Sequence, residues 1–378
     1  MFAKSAKLAL VLGLAALGLT ACTPPMPPEV KAALLEQTYT CVNGNVIVAS
    51  GEALADAIPS IQGAMQGACP SMGVTAAAAD ATAADTGIFI SAYAPAAAKC
   101  VPANTVPYAL DAGLVVASLA DAAGVQLSPA TVAGIFDGSI TNWDDAKITA
   151  DNAGSAVASG PISVMPITDK KALVAFGAWY QHLTGKTFNP TLLTNAVSGE
   201  TVADLGTMAE GSVALMPFST FTGYSVNAMT IPLAANIIVD AKTQEVATPD
   251  VTGIVSAGTQ LVVSKTSTDV SVKMDYSVKA TPAQGSDIAA TPYGAVFPVN
   301  MVLCATGGAS GAGASGAGAS GAGKTANKVT HAVARYMLRQ DSQGSLTALT
   351  GLPDLVRAAA LDGVSAGLPD PKIPPATN

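Results

Sequence analysis

The sequence predicts an α/β fold, and three observations carry that prediction. Short apolar runs that read as buried strands recur along the chain, at 45–50 (NVIVAS), 86–93 (TGIFISAY), 161–166 (PISVMP) and 293–303 (YGAVFPVNMVL). Serine-rich turns and stretches with helical spacing alternate with them, as in βα units whose helices cover a parallel sheet. Half of the 378 residues are hydrophobic and only 12% are charged, which allows a large core and one to three domains.

The first 21 residues read as a targeting segment. Lys4 and Lys7 precede an apolar stretch at 8–19, too short to span a bilayer comfortably, so a signal peptide is expected and a transmembrane anchor is the competing reading. Leu19, Thr20, Ala21 and Cys22 resemble a bacterial lipobox. That resemblance implies a lipoprotein: cleavage before Cys22, a diacylglyceryl thioether on its sulfur, and palmitate-like chains that contribute about 0.8 kcal/mol per buried CH₂. Residues 22–40 are then an acylated cysteine and a Pro-rich spacer, and the chain works on the extracytoplasmic face of a membrane.

Without the leader, 16 basic residues face 26 acidic ones, a formal charge of −10. No basic patch exists, which argues against nucleic acid or anionic lipid headgroups as partners. A small anion stays possible, because backbone N–H groups bind one without a basic side chain. Cys41, Cys69, Cys100 and Cys304 suggest two disulfides in an exported chain, with three pairings open. Free buried thiols are an alternative, and the spacings lack the close Cys pair of a metal site. No cofactor is expected.

In chain order, 30–37 is a short helix candidate. The strand at 45–50 runs into Ser50 and Gly51, and Leu54, Ile58 and Ile61 then fall on one helical face. Strand, Ser-Gly and helix is an arrangement that aims free N–H groups at an anion; alternatively Ser50 only caps the helix. The stretch at 70–84 is Ala-rich and uninformative. Residues 100–118 read as a strand pair with Pro102 and Pro107 at the edges. At 127–152, Ser128 caps a helix with Pro129 in its first turn, Val132, Ile135 and Phe136 form one apolar face, and Gly138 ends it.

Leu127, Ile135, Phe136, Gly138, Ile140, Asn142, Trp143 and Asp144 also match a family signature, L-x-x-I-F-x-G-x-I-x-N-W. The chain thereby resembles the phosphate-binding proteins that serve ABC importers. The resemblance runs from about 45 to 356, with Gly351, Leu352 and Pro353 as a second anchor. It implies a two-lobed, type II periplasmic-binding-protein-like fold. The first part of lobe I is expected at 41–155 and lobe II at 156–285. The chain returns to lobe I at 286–356 with a flexible Gly/Ala/Ser loop at 306–323, and a C-terminal helix and tail fill 357–378. It also implies phosphate contacts at the first two strand ends, here Ser50, Gly51 and Ser91. The family's Asp beside the second turn is missing from Ser91-Ala92-Tyr93.

The helix at 171–183 carries Leu173, Phe176, Trp179, Tyr180 and Leu183 at core spacing. The family's Arg and G-S-G-T-T run fall here on Met165 or Pro166 and on Thr168, Asp169, Lys170, Lys171 and Ala172, so neither survives. Asp169 reads as an N-cap that fills the slot of an anion; Lys170 or Lys171 could serve a ligand instead. Beyond this, 201–208 reads as a short helix, 210–224 as a strand and turn, 228–239 as an apolar strand and 251–257 as a helix or coil. The stretch 270–278 alternates like a strand with one wet face, and 328–339 reads as a helix. The G-x-x-x-x-G-K-T match at 318–325 arises from the repeat. His182 and His331 lack nucleophile context, and the chain is not read as an enzyme. Two functions compete. One is a lipid-anchored solute receptor, for phosphate or another small oxyanion, delivering to an ABC permease. The other is a ligand-free binding-protein fold acting as an accessory or scaffold subunit of a membrane complex.

Overall fold

The structure is a computed structural model; it describes residues 28–79, 86–96, 100–120, 124–191, 205, 208–222, 233–267, 269–281, 291–305, 309–310 and 326–369. Cys22, Gly223-Tyr224, most of 201–208 and nearly all of the Gly/Ala/Ser repeat lie outside them.

The chain opens with α1 (Pro28–Gln37), β1 (Gly44–Ser50), a 3-10 turn (Glu52–Leu54), α2 (Ala57–Ala68), β2 (Met72–Ala78) and β3 (Thr86–Ser91). The long β4 (Pro102–Ala117) follows, then β5 (Gln126–Leu127), α3 (Pro129–Phe136), α4 (Ala146–Asp151), β6 (Ser163–Val164) and α5 (Lys170–Thr184). Next come β7 (Ser212–Pro217), α6 (Phe218–Thr222), β8 (Leu233–Ala234), β9 (Asn236–Asp240), β10 (Glu245–Ala247), α7 (Val251–Gly258) and the β11 (Leu261–Lys265)/β12 (Val270–Met274) hairpin. The chain closes with β13 (Val296–Cys304), β14 (Ala309–Ser310), α8 (Lys328–Met337), α9 (Gln340–Gln343) and α10 (Asp354–Val364).

β4 is the spine. Sixteen residues of strand reach about 50 Å, and fourteen of them are buried. Its first part, to Ala112, pairs antiparallel with β13; β13 pairs with β3, which runs parallel to β1, which runs parallel to β2. From Gly113 onward β4 pairs instead with β7, and β7 runs parallel to β6. One strand therefore belongs to both halves of a mixed sheet, and the α/β class is the one expected. At Gly113 a Cβ would lie 2.5 Å from the Ala172 carbonyl oxygen, so the absence of a side chain lets α5 cross closely over the spine.

Pro107 does not divide two strands as expected. Asn300 faces Pro107 and Val299 faces Ala109, leaving Tyr108 as an extra residue, and this bulge accommodates the missing N–H inside β4. β4 itself passes from one half of the sheet to the other between Ala112 and Gly113. Ser118 N–H donates to Ser212 O at 2.9 Å, Phe136 meets Phe188 edge-on at 5.8 Å, and Trp143 Nε1–H donates to Gly211 O at 3.0 Å. The segment 118–155 thus sits with β7 and α5.

α3 follows its local sequence: Ser128 Oγ accepts from Thr131 N–H at 3.3 Å, and Val132, Ile135 and Phe136 are buried. Gly138 leaves the helix at φ +80°, where glycine is favoured. β2 lies in the stretch that read as uninformative; it is a strand because it pairs with β1 along its whole length. Ala309 and Ser310, inside the stretch expected as loop, pair with Val46 and Asn45. The expected helix α1, inside the 22–40 segment, packs against α10 with Leu34 and Leu35 buried. Disulfides join Cys41 to Cys69 and Cys100 to Cys304, the second closing the lead into β4 against the end of β13.

Candidate functional site

The neighbouring parallel strands β1 and β3 finish together. Ser50 stands opposite Ile90, so Ser50 and Ser91 occupy adjacent strand ends, both buried. Ser50 does not cap a helix. It is the last residue of β1, and a 3-10 turn follows Gly51, whose φ and ψ of −66° and 169° are extended. α2 begins only at Ala57, so Gly51 does not present an α-helix N-terminus either. Pro59 explains this: a helix begun at Gly51 would bury that proline in its interior, without an N–H and against the carbonyl four residues back. Starting at Ala57 puts Pro59 in the first turn. Glu52 is exposed. Beyond β3, Ser91 Oγ accepts from Tyr93 N–H at 3.0 Å and turns the chain toward α5.

The start of α5 is closed by the protein's own groups. Asp169 is its N-cap and its Oδ1 accepts from Ala172 N–H at 2.7 Å. The Tyr93 hydroxyl accepts from Lys171 N–H at 3.2 Å and donates to the Asp169 carboxylate, and the Lys170 N–H also points at it. Lys171 Nζ stands 5.9 Å from the centre of the Tyr93 ring. Burial, reinforced by the negative charge of Asp169, holds the phenol protonated far above neutral pH. Burial likewise raises the Asp169 carboxyl, against the opposing pull of the Ala172 N–H, the Tyr93 hydroxyl and Lys171. Of the residues named from sequence, Asp169 and the Lys170 N–H thus meet Ser91 through Tyr93. Thr168 is half-buried, and the Lys170 side chain is exposed.

Sequence reasoning missed a second carboxylate. Asp111 sits in β4 one residue before the pairing passes from β13 to β7. It is buried, and its Oδ1 accepts from Ala112 N–H at 2.8 Å and Ser219 N–H at 3.0 Å, while its Oδ2 accepts the Ser219 hydroxyl at 2.5 Å. Burial pushes its pKa up to about 7; the Ser219 and Ala112 donors pull it down, and the charge of Asp169 adds to the rise. A lone Asp in the otherwise apolar run 106–117 was the available signal, since such a charge is costly unless the fold uses it. Tyr93 gave no signal, because its partners lie 78 residues away.

The chain has three arginines, and all serve elsewhere. Arg335 Nη2–H donates to Thr38 Oγ1 at 3.1 Å. Arg339 binds the Asp341 carboxylate and the Thr38 carbonyl and lies 4.1 Å above the Tyr39 ring. Arg357 pairs with Glu36 and Asp354. None is left to grip an oxyanion bidentately at α5. Among the described residues no group of three or more His, Cys, Asp or Glu is placed to hold a metal ion, and no helix is long and apolar enough to cross a membrane.

Comparison with known proteins adds a family. A family model described as the PBP superfamily domain matches residues 70–301. No curated protein matches. Solved structures of similar fold include the ancestral soluble variant of the human phosphate-binding protein, at 13% identity and a TM-score of 0.49, covering 83% of this chain and 92% of that one. The phosphate-binding protein from Stenotrophomonas maltophilia is 13% identical with a TM-score of 0.43, covering 84% and 93%. A phosphate ABC transporter substrate-binding protein from Clostridium perfringens, solved with bound phosphate, is 13% identical with a TM-score of 0.42, covering 82% and 100%.

Proposed function

The chain belongs to the PBP superfamily, with an α/β fold of the type II periplasmic-binding-protein kind, and on that premise we propose that it is an extracytoplasmic solute-binding protein, lipid-anchored through Cys22, that hands its ligand to an ABC importer. The observation that carries the reading is that Ser50 and Ser91 end adjacent parallel strands and Ser91 leads through Tyr93 to Asp169 at the start of α5, with the Asp111–Ser219 pair where β4 passes between sheet halves. Open α/β sheets bind ligands at such strand ends. The signature at 127–144 is mostly buried scaffold and speaks for the family alone; phosphate or another small oxyanion is the ligand class that the family resemblance implies. Two carboxylates and three serine hydroxyls favour a form that carries its own proton, because a P–OH can donate to a carboxylate that would repel a bare anion.

One observation favours a second reading, that of a ligand-free accessory subunit. The N–H groups at the start of α5 are already taken by Asp169 and Tyr93, and every arginine is committed elsewhere.

Calorimetric titration with phosphate at neutral pH decides between them. The protein is first freed of carried-over ligand by mild unfolding, dialysis and refolding. One-to-one binding heat is the expected result. A folded protein that gives no heat removes phosphate as the ligand and leaves the accessory reading in possession of the site.

A further inference from the structure

The three arginines point to a surface. α1 is the first described element after the proposed acylation site, and it is clamped rather than tethered. Lys31 Nζ lies 2.7 Å from Asp362 at one end of α10, and Glu36 pairs with Arg357 at the other, so α1 and α10 run antiparallel. Glu36 Oε2 also accepts from Gln340 N–H at 2.9 Å, and Thr38 receives Arg335 and Arg339. Three residues on, the Cys41–Cys69 disulfide fixes the chain again.

Only five residues separate Cys22 from Pro28. Covalent geometry limits their reach to roughly 20 Å. A lipid on Cys22 therefore holds the start of α1, and with it the α1/α10 face, close to the bilayer. That face suits a lipid surface better than the rest of an acidic chain does. Lys31, Lys265, Arg339 and Arg357 are matched there by Glu36, Asp341, Asp354 and Asp362. Its exposed apolar groups are Val30 on α1, Tyr39 just beyond it and Leu355, 83% exposed, on the first turn of α10.

We infer that the α1/α10 face lies against the membrane surface, with Leu355 as its apolar contact, so that the arginine clamp sets how the whole protein stands on the bilayer. The inference rests on the proposed acylation of Cys22. The test uses the full acylated chain in vesicles of neutral and anionic phospholipid, carrying an environment-sensitive fluorophore on Leu355→Cys or, on α5, on the also exposed Val174→Cys. Both sites are exposed, so neither change threatens folding. A quencher attached to the lipid headgroup should quench the label at 355 several-fold more than the label at 174. Equal quenching at the two positions, with the acyl mass present on Cys22, overturns the proposed face alone. Absence of that mass overturns the anchor and the face together.

Discussion

Asp111 makes a prediction whose sign and size both follow from its surroundings. Its carboxyl ordinarily titrates at 3.8 and is pushed up to about 7 in the fold, mainly by burial. Between those values the native state holds a proton that the unfolded chain has released. Stability therefore falls as pH rises through the window from about 4 to 7, and is level above it. The full penalty above neutral pH is roughly 4 kcal/mol. Asp111→Asn removes it. The amide oxygen keeps the Ala112 and Ser219 N–H groups, and the Ser219 hydroxyl turns to accept from the amide nitrogen. The variant should match the wild type near pH 4 and exceed it by about 1–4 kcal/mol at pH 8. His331 runs the other way: burial lowers its pKa, so its contribution is lost as pH falls through the window below its ordinary 6.5. It is common to both proteins and cancels in their difference. Urea unfolding at several pH values, followed by the emission of the buried Trp143 and Trp179, measures that difference. Parallel stability curves for the two proteins would refute the assignment of the pH dependence to Asp111.

Two further outcomes follow from named contacts. Tyr93→Phe removes the hydroxyl that occupies the Lys171 N–H and should cost about 1 kcal/mol of stability while strengthening phosphate binding in the same calorimetric titration; weaker binding would make the phenol a ligand contact rather than an internal substitute. Cys100→Ser with Cys304→Ser opens a loop closed over 204 residues and should lower unfolding free energy by about 2–5 kcal/mol in urea, without altering the Cys41–Cys69 bridge; an unchanged midpoint would contradict a structural role for the return-strand bridge.

What could be read in advance divides by the range of the forces involved. α3 was legible because cap, proline, apolar face and terminal glycine all lie within about a dozen residues. The same holds for Asp169, whose capping bond spans three residues. The core stripe of α5 was legible too, and Phe176, Trp179 and Tyr180 are buried. β2 was not, because an alanine run becomes a strand only when β1 pairs with it. Pro107 misled for the same reason: the bulge that tolerates it is a property of the β4–β13 register. Of the two alternatives at Ser50, the helix cap is disfavoured by Pro59, which would fall inside a helix starting there. Of the candidate site, the start of α5 and the two strand-end serines were named from sequence. Tyr93 and Ser219 are brought in by folding alone, across 78 and 108 residues.

The occupied start of α5 constrains any ligand more than the lost arginine does. At this buried helix start an ionised Asp169 would repel an incoming anion, while its bond to Ala172 N–H holds it in place. An anion can take those N–H groups only if Asp169 is protonated or swings out, and if Tyr93 releases the Lys171 N–H. The raised carboxyls of Asp111 and Asp169 make protonation the less costly route. On the proposed function, a ligand that brings its own proton can hydrogen-bond to these carboxylates, and a fully ionised one must first draw a proton from solvent.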